Sequence, residues 1–137
     1  MKVQQIFVAF VLLAIGVSAC SGSSSQPDLN GTSWVLTQLK GSPVTSKQAP
    51  TLVFANGQVS GNASCNSFGG KYERGSGDSL KFGEMVSTLM ACADDSLMKQ
   101  ESTYLGMLEQ VAKYKKENGQ LLLYDQGSQL LAEFKKQ

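Results

Sequence analysis

Residues 94–112 read DDSLMKQESTYLGMLEQVA, and this stretch decides the fold class. Leu97, Met98, Glu101, Tyr104, Leu105, Leu108, Val111 and Ala112 recur at the three- and four-residue spacing that puts side chains on one face of a helix. Asp94 or Asp95 can cap its first turn, because an aspartate oxygen there accepts an otherwise unpartnered backbone N–H. Most of the periodic face is apolar, so it should lie on other structure, with Lys99, Gln100, Ser102 and Glu109 turned to water. Elsewhere in the chain the apolar residues alternate in short runs between turn residues, which is the period of a strand.

Upstream, Ser33 to Leu39 (SWVLTQL) is a first strand stopped by Lys40-Gly41-Ser42-Pro43, and Ser42 to Pro50 is a loop. Thr51 to Ala55 and Gln58 to Gly61 flank Asn56-Gly57, a pair suited to the positive φ angles of a two-residue hairpin turn. Phe68 to Glu73 follows, then the glycine-rich loop Arg74 to Asp78. Ser79 to Phe82 and Met85 to Met90 read as extended, with Gly83 a bend or bulge between them. Downstream lie Ala112 to Lys116, Gln120 to Tyr124 and Gln129 to Phe134, separated by Asn118-Gly119 and by Asp125 to Ser128. Strands, one long helix, then strands predict an α+β domain. Its sheet is small, antiparallel, strongly curved and partly barrel-like, with the helix packed against it.

The first residues belong to export. Lys2 precedes an apolar run, Ile6 to Val17, too short to cross a bilayer as a helix. It ends in Val17-Ser18-Ala19-Cys20, which resembles a bacterial lipobox. That resemblance implies a signal peptide over 1–19 and a Cys20 that carries acyl chains, including palmitate, on its sulfur and amine. The alternative is an ordinary secretory signal cut near Ala19. Residues 20–29, rich in serine, would be a flexible tether. Ser21 follows the cysteine where an aspartate would retain a lipoprotein in the inner membrane, so the expected location is the outer membrane, facing the periplasm.

Twelve basic and eleven acidic residues leave a net charge of +1, and no basic tract interleaves with aromatics, so nucleic acid is not an expected partner. With Cys20 set aside, Cys65 and Cys92 remain as one pair in an oxidising compartment. They favour a structural disulfide over a redox site, whose sulfurs usually sit close together as C-x-x-C. The chain has no histidine. Two thiolates fall short of a structural zinc site, and histidine-based triads are excluded. Ser96 to Lys99 (SLMK) has serine–lysine spacing but no companion motif. The expectation is therefore no catalytic residue, no metal and no cofactor. Met85, Met90, Met98 and Met107 are spread over separate elements and read as core filling, and Arg74, the one arginine, as an exposed solubilising charge.

Four features then occur in order: Ser33-Trp34-Val35-Leu36 before Lys40-Gly41, Val59 to Asn66 running on to Phe68-Gly69-Gly70-Lys71-Tyr72, Thr88-Leu89-Met90-Ala91-Cys92, and a helix with Glu101, Tyr104 and Leu108. Together they resemble the META domain, the family of HslJ-like envelope proteins, over residues 30–137. Ser64 departs from the glycine that many members carry before the first cysteine. The motif residues Gly61, Asn66, Gly69, Gly70, Tyr72, Thr88, Met90 and Ala91 have structural expectations. The glycines permit tight turns, Asn62 and Asn66 satisfy turn backbone, and Phe68 and Tyr72 join the core. Leu89 and Met90 would face opposite sides of a strand, and Ala91 would pack closely beside the disulfide.

The resemblance implies a non-catalytic lipoprotein that supports envelope stress tolerance or assembly. Its fold is similar to that of secretin pilot lipoproteins, which hold an apolar segment in a groove, so an envelope protein or an apolar ligand is the expected partner. The alternatives are a periplasmic thiol redox protein and a small inhibitor or ligand-binding module, for which Gly41 to Pro50 offers an anchoring loop. Oligomeric state is open.

Overall fold

The computed structural model describes residues 27–137. The signal segment, Cys20 and residues 21–26 of the tether lie outside the described residues. The strands are β1 (Thr32–Leu39), β2 (Ser42–Pro43), β3 (Thr51–Ala55), β4 (Gln58–Asn62), β5 (Ser67–Arg74), β6 (Leu80–Ser87), β7 (Lys113–Glu117), β8 (Gln120–Tyr124) and β9 (Leu130–Lys136). The helix, α1 (Asp95–Leu108), connects β6 to β7. The strands form one antiparallel sheet in the order β6-β5-β4-β3-β1-β9-β8-β7, with β2 paired to β1.

Local chemistry sets the hairpins. Asn56 and Gly57 have φ of 52° and 74°, and Asn118 and Gly119 have 50° and 75°. Both pairs make the left-handed two-residue turn whose twist matches the strands it joins. Lys40 and Gly41, at 47° and 79°, do the same between β1 and β2, so the expected loop from Ser42 begins with a short strand.

The sheet curls until its two ends nearly meet. Leu80 N–H donates to Ala112 O at 3.0 Å and Tyr114 N–H to Asp78 O at 2.9 Å, closing the barrel at one end of β6 only. This is a half-barrel, and α1 fills it. Tyr104, Met107 and Leu108 bury their side chains inside, where the Tyr104 ring meets Phe68 and Phe134 at centroid distances of 5.7 and 6.4 Å. Trp34, Leu36, Leu52, Phe54 and Leu123 complete the same core. Burying a side chain of this size contributes roughly 1.5–3 kcal/mol, so the plug and the sheet stabilise one another.

Three departures from the sequence expectation have physical reasons. The helix stops at Leu108, before Val111 and Ala112, because Ala112 N–H already donates to Tyr124 O and the β7 ladder takes over. The two extended segments around Gly83 form one strand, with Gly83 and Glu84 bulging opposite Lys71. That strand ends at Ser87, so Leu89 and Met90 lie in no strand. Leu29, assigned to the tether, is fully buried, which moves the start of the ordered domain toward Pro27.

Candidate functional site

The chemistry-bearing residues gather where β4 hands over to β5. Residues 63–66 make a tight turn in which Ala63 N–H donates to Asn66 O at 2.8 Å and Ser64 N–H to Asn62 Oδ1 at 2.8 Å. Such a turn pulls backbone N–H groups off any ladder, and buried ones must find other partners. Glu101 supplies them. Its Oε2 accepts from Cys65 N–H at 3.2 Å and Asn66 N–H at 2.7 Å, while Oε1 accepts from Asn66 Nδ2 at 2.7 Å. Bonds to a carboxylate are roughly twice as strong as neutral ones. One side chain on α1 therefore locks the turn to the helix.

Asn66 extends the lock to the segment after β6. Its Nδ2 also donates to Met90 O at 3.1 Å, and its Oδ1 accepts from Met90 N–H at 2.7 Å and Thr88 Oγ1 at 2.9 Å. Buried as it is, this amide uses every donor and acceptor position it has. Cys65 and Cys92 are joined in a disulfide, with their Cα atoms 5.7 Å apart. The bond ties the turn to the chain just before α1. Asp94 then caps that helix, its carboxyl held below the ordinary range mainly by the Ser96 N–H.

The motif residues divide. Asn66, Thr88 and Met90 come together in this knot with Cys65 and Cys92. Gly61, Gly69 and Gly70 sit within β4 and β5, so turn formation is not their role. A Cβ at Gly61 would overlap the Thr51 carbonyl, and one at Gly70 the Met85 sulfur and the Glu84 carbonyl. Tyr72 packs edge-on against Phe54 with centroids 4.9 Å apart. Ala91 is exposed rather than closely packed.

Other expectations also change. Gln100, expected in water, is half-buried and donates to Ser64 Oγ at 2.6 Å. Ser64 has a φ of 120°, so the serine occupies a conformation that glycine tolerates far better. Arg74 is more than a solubilising charge. It bonds Asp28 at 3.1 Å and lies 5.3 Å over the Tyr114 ring. Glu101 was visible only as a lone carboxylate on the apolar face of α1, between Leu97 and Tyr104. A charge in that position demands donors, and this was the available signal.

Around the knot the surface is apolar where it need not be. Leu89 is 94% exposed, Met90 62% and Met98 50%, so two of the methionines are not core filling. Beside α1, a groove of about 620 Å³ opens between its first turns and the loop after β2, lined by Thr45, Ser46, Lys47, Gln48, Asp94 and Gln100 among others. Pro43 and Leu97 complete its walls, which are polar and apolar in about equal measure. The Cys65 and Cys92 sulfurs and a Glu101 oxygen lie within 4.8 Å of one another. As a disulfide the sulfurs are not thiolates, and the carboxylate is already occupied by N–H donors.

A helix-plugged half-barrel, with its β4–β5 turn stapled to the helix entry, defines a class of small α+β domain with a built polar knot. The chain belongs to the META domain family, whose model matches residues 27–137. Two proteins solved by NMR share the fold. One is 30% identical with a TM-score of 0.62, covering 78% of this chain and 90% of its own. The other, from Burkholderia xenovorans, is 27% identical with a TM-score of 0.65, covering 80% and 83%. A DUF4847 family protein from Bacteroides vulgatus, 14% identical at a TM-score of 0.56 over 78% of this chain and 93% of its own, matches in fold alone. No curated protein matches the chain.

Proposed function

We propose that this META domain is a non-catalytic, lipid-anchored envelope protein that presents the surface of Leu89, Met90 and Met98 to a protein partner in the periplasm. The supporting observation is the cost of holding that surface open. Met90 is fixed at both its N–H and its carbonyl by Asn66, yet its side chain and that of Leu89 are left in water. Exposed apolar groups on a rigid frame favour association, since little ordering entropy remains to be lost. The lipobox-like Val17 to Cys20 supports the anchor. An apolar-ligand role has weaker support, because Tyr104 and its neighbours fill the barrel and the open groove beside α1 is lined by polar and apolar groups alike.

The test is site-specific photo-crosslinking in living cells, with the probe at Met98 of the full chain. A single discrete adduct that disappears in Leu89→Asp is expected, with none from a probe at Lys115. The proposal fails if no adduct forms, or if Leu89→Asp leaves it unchanged. A companion Cys20→Ala variant should leave the membrane fraction; if it stays there, the anchor assignment is wrong.

A further inference from the structure

The polar knot has a scaffold that does not depend on its sulfur–sulfur bond. Asn66 holds Met90 at both its N–H and its carbonyl, and Glu101 holds the N–H groups of Cys65 and Asn66. The two cysteines therefore stay close as thiols, the state from which any disulfide forms. In that state three ligand-bearing side chains converge. The Cys65 and Cys92 sulfurs and a Glu101 oxygen lie within 4.8 Å of one another, and all three residues are half-buried, open to an entering ion. Two thiolates alone fall short of a metal site, and the third ligand comes from a residue 36 positions beyond Cys65, brought in by α1.

We propose that the dithiol form binds one divalent cation of the zinc type through both sulfurs and a Glu101 oxygen, so that a metal ion staples the turn to the helix entry in place of the disulfide. Zn²⁺ takes thiolate sulfur at about 2.3 Å and carboxylate oxygen at about 2.0–2.2 Å, which sets tetrahedral ligands about 3.4–3.8 Å apart. Side-chain rotation brings atoms already within 4.8 Å to that spacing. The carboxylate has room for the ion. Of its roughly four acceptor positions, Oε2 uses two for N–H groups and Oε1 uses one, which leaves one on Oε1. Hydrogen bonds of this kind orient a ligating carboxylate. Thiolate ligands favour zinc-type ions over Mg²⁺ and Ca²⁺, which seek oxygen, and water completes the tetrahedron. Reaching this form from the oxidised chain takes a dithiol reductant. Its two S–H groups become one S–S bond, the Cys65–Cys92 bond breaks, and each cysteine sulfur takes one proton. Binding then expels both protons as the thiols ionise. Ion and disulfide exclude each other at the same sulfurs. Leu89 and Met98 take no part, so the site stands independently of the partner surface.

The test uses the full chain in detergent, reduced with dithiothreitol and freed of it without air. Titration with Cd²⁺, a spectroscopic substitute for Zn²⁺, should raise a sulfur-to-metal charge-transfer band that saturates at one ion per chain and is abolished by excess Zn²⁺. The oxidised chain should give no band, and Cys20→Ala the full band, which sets the N-terminal sulfur aside. Zn²⁺ should also raise the melting temperature of the reduced chain and leave that of the oxidised chain unchanged. Glu101→Gln, which keeps an oxygen for the N–H donors, should weaken binding about tenfold or more, with its fold checked by circular dichroism. Cys92→Ser, which should halve the band, probes the site without touching Glu101. The proposal is overturned if the reduced chain binds no more tightly than the Cys65→Ser, Cys92→Ser double variant, if the oxidised chain binds equally, or if one ion is shared by two chains. It is overturned as well if Zn²⁺ leaves the reduced chain's melting temperature unchanged, if Cys92→Ser keeps the full band, or if folded Glu101→Gln binds as the unaltered chain does.

Discussion

The two ends of β5 solve the same problem by different means. At the Arg74 end the barrel closes through backbone pairing, Leu80 to Ala112 and Tyr114 to Asp78, with Arg74, Asp28 and Tyr114 laid over it. At the Ser67 end no strand arrives to close the sheet. A disulfide, one carboxylate and one amide take its place. Ladder closure spreads its stabilisation over many groups, whereas the knot concentrates it in a few side chains. Single substitutions should therefore be costly at one end and mild at the other.

The largest effect is expected from Cys65→Ser with Cys92→Ser. Cysteines 27 residues apart close a loop whose removal costs about 3.5 kcal/mol. In a domain of this size that lowers the melting temperature by roughly 15–25 °C, measurable by thermal denaturation. A fall of only a few degrees would mean the polar knot holds the end unaided. Glu101→Ala comes next, at about 3 kcal/mol in urea unfolding, because it strands the N–H groups of Cys65 and Asn66. Glu101→Gln should recover part of this, since an amide oxygen still accepts while the charge assistance is gone.

How much of this contrast was legible beforehand depends on how far each feature reaches. The Asn56-Gly57 and Asn118-Gly119 turns are local chemistry, and both hairpins stand where the dipeptides placed them. The core face of α1 was legible through Tyr104 and Leu108 for the same reason. The segment from Thr88 to Cys92 was not. Its conformation is dictated by Asn66, 24 residues away, whose side chain displaces the ladder partner that a strand would need. Gln100 and Glu101 likewise look like helix surface and helix face until the β4–β5 turn is brought against them.

The third effect depends on pH and draws on both ends. Burial raises the Tyr104 phenol well above its ordinary value of 10.0, and raises Tyr72 and Tyr114 less. An acid whose folded pKa is raised is neutral in the fold after it has ionised in the unfolded chain. The stability it contributes is complete below pH 10 and lost as pH climbs toward the folded value. Urea midpoints should therefore fall above pH 10, and less steeply in Tyr104→Phe. An equal slope in that variant would place the titration elsewhere. At the Arg74 end, Arg74→Ala should cost only about 1–2 kcal/mol, from the lost contact with Tyr114 and the lost packing of its stem. A loss matching that of Glu101→Ala would erase the distinction between the ends.

The smallest expected effect has the opposite sign. Ser64 holds a φ of 120° because the turn between Asn62 and Asn66 must reverse within a few residues while presenting two N–H groups to Glu101. A non-glycine residue held there costs about 1–3 kcal/mol. Its hydroxyl returns part of that cost by accepting from Gln100 at 2.6 Å, a bond worth about 0.5–1.5 kcal/mol. Ser64→Gly removes both, and the strain is the larger, so the variant should be stabilised by up to about 1 kcal/mol in urea unfolding. Gln100→Ala separates the contributions: alone it removes this bond and a longer one to Gln48 O at 3.5 Å and destabilises, and in the Ser64→Gly background its cost should shrink to what the longer bond contributes. If Ser64→Gly instead destabilises the domain, the serine hydroxyl is a member of the knot in its own right, and the end without a ladder is held by one more side chain than the disulfide, Asn66 and Glu101.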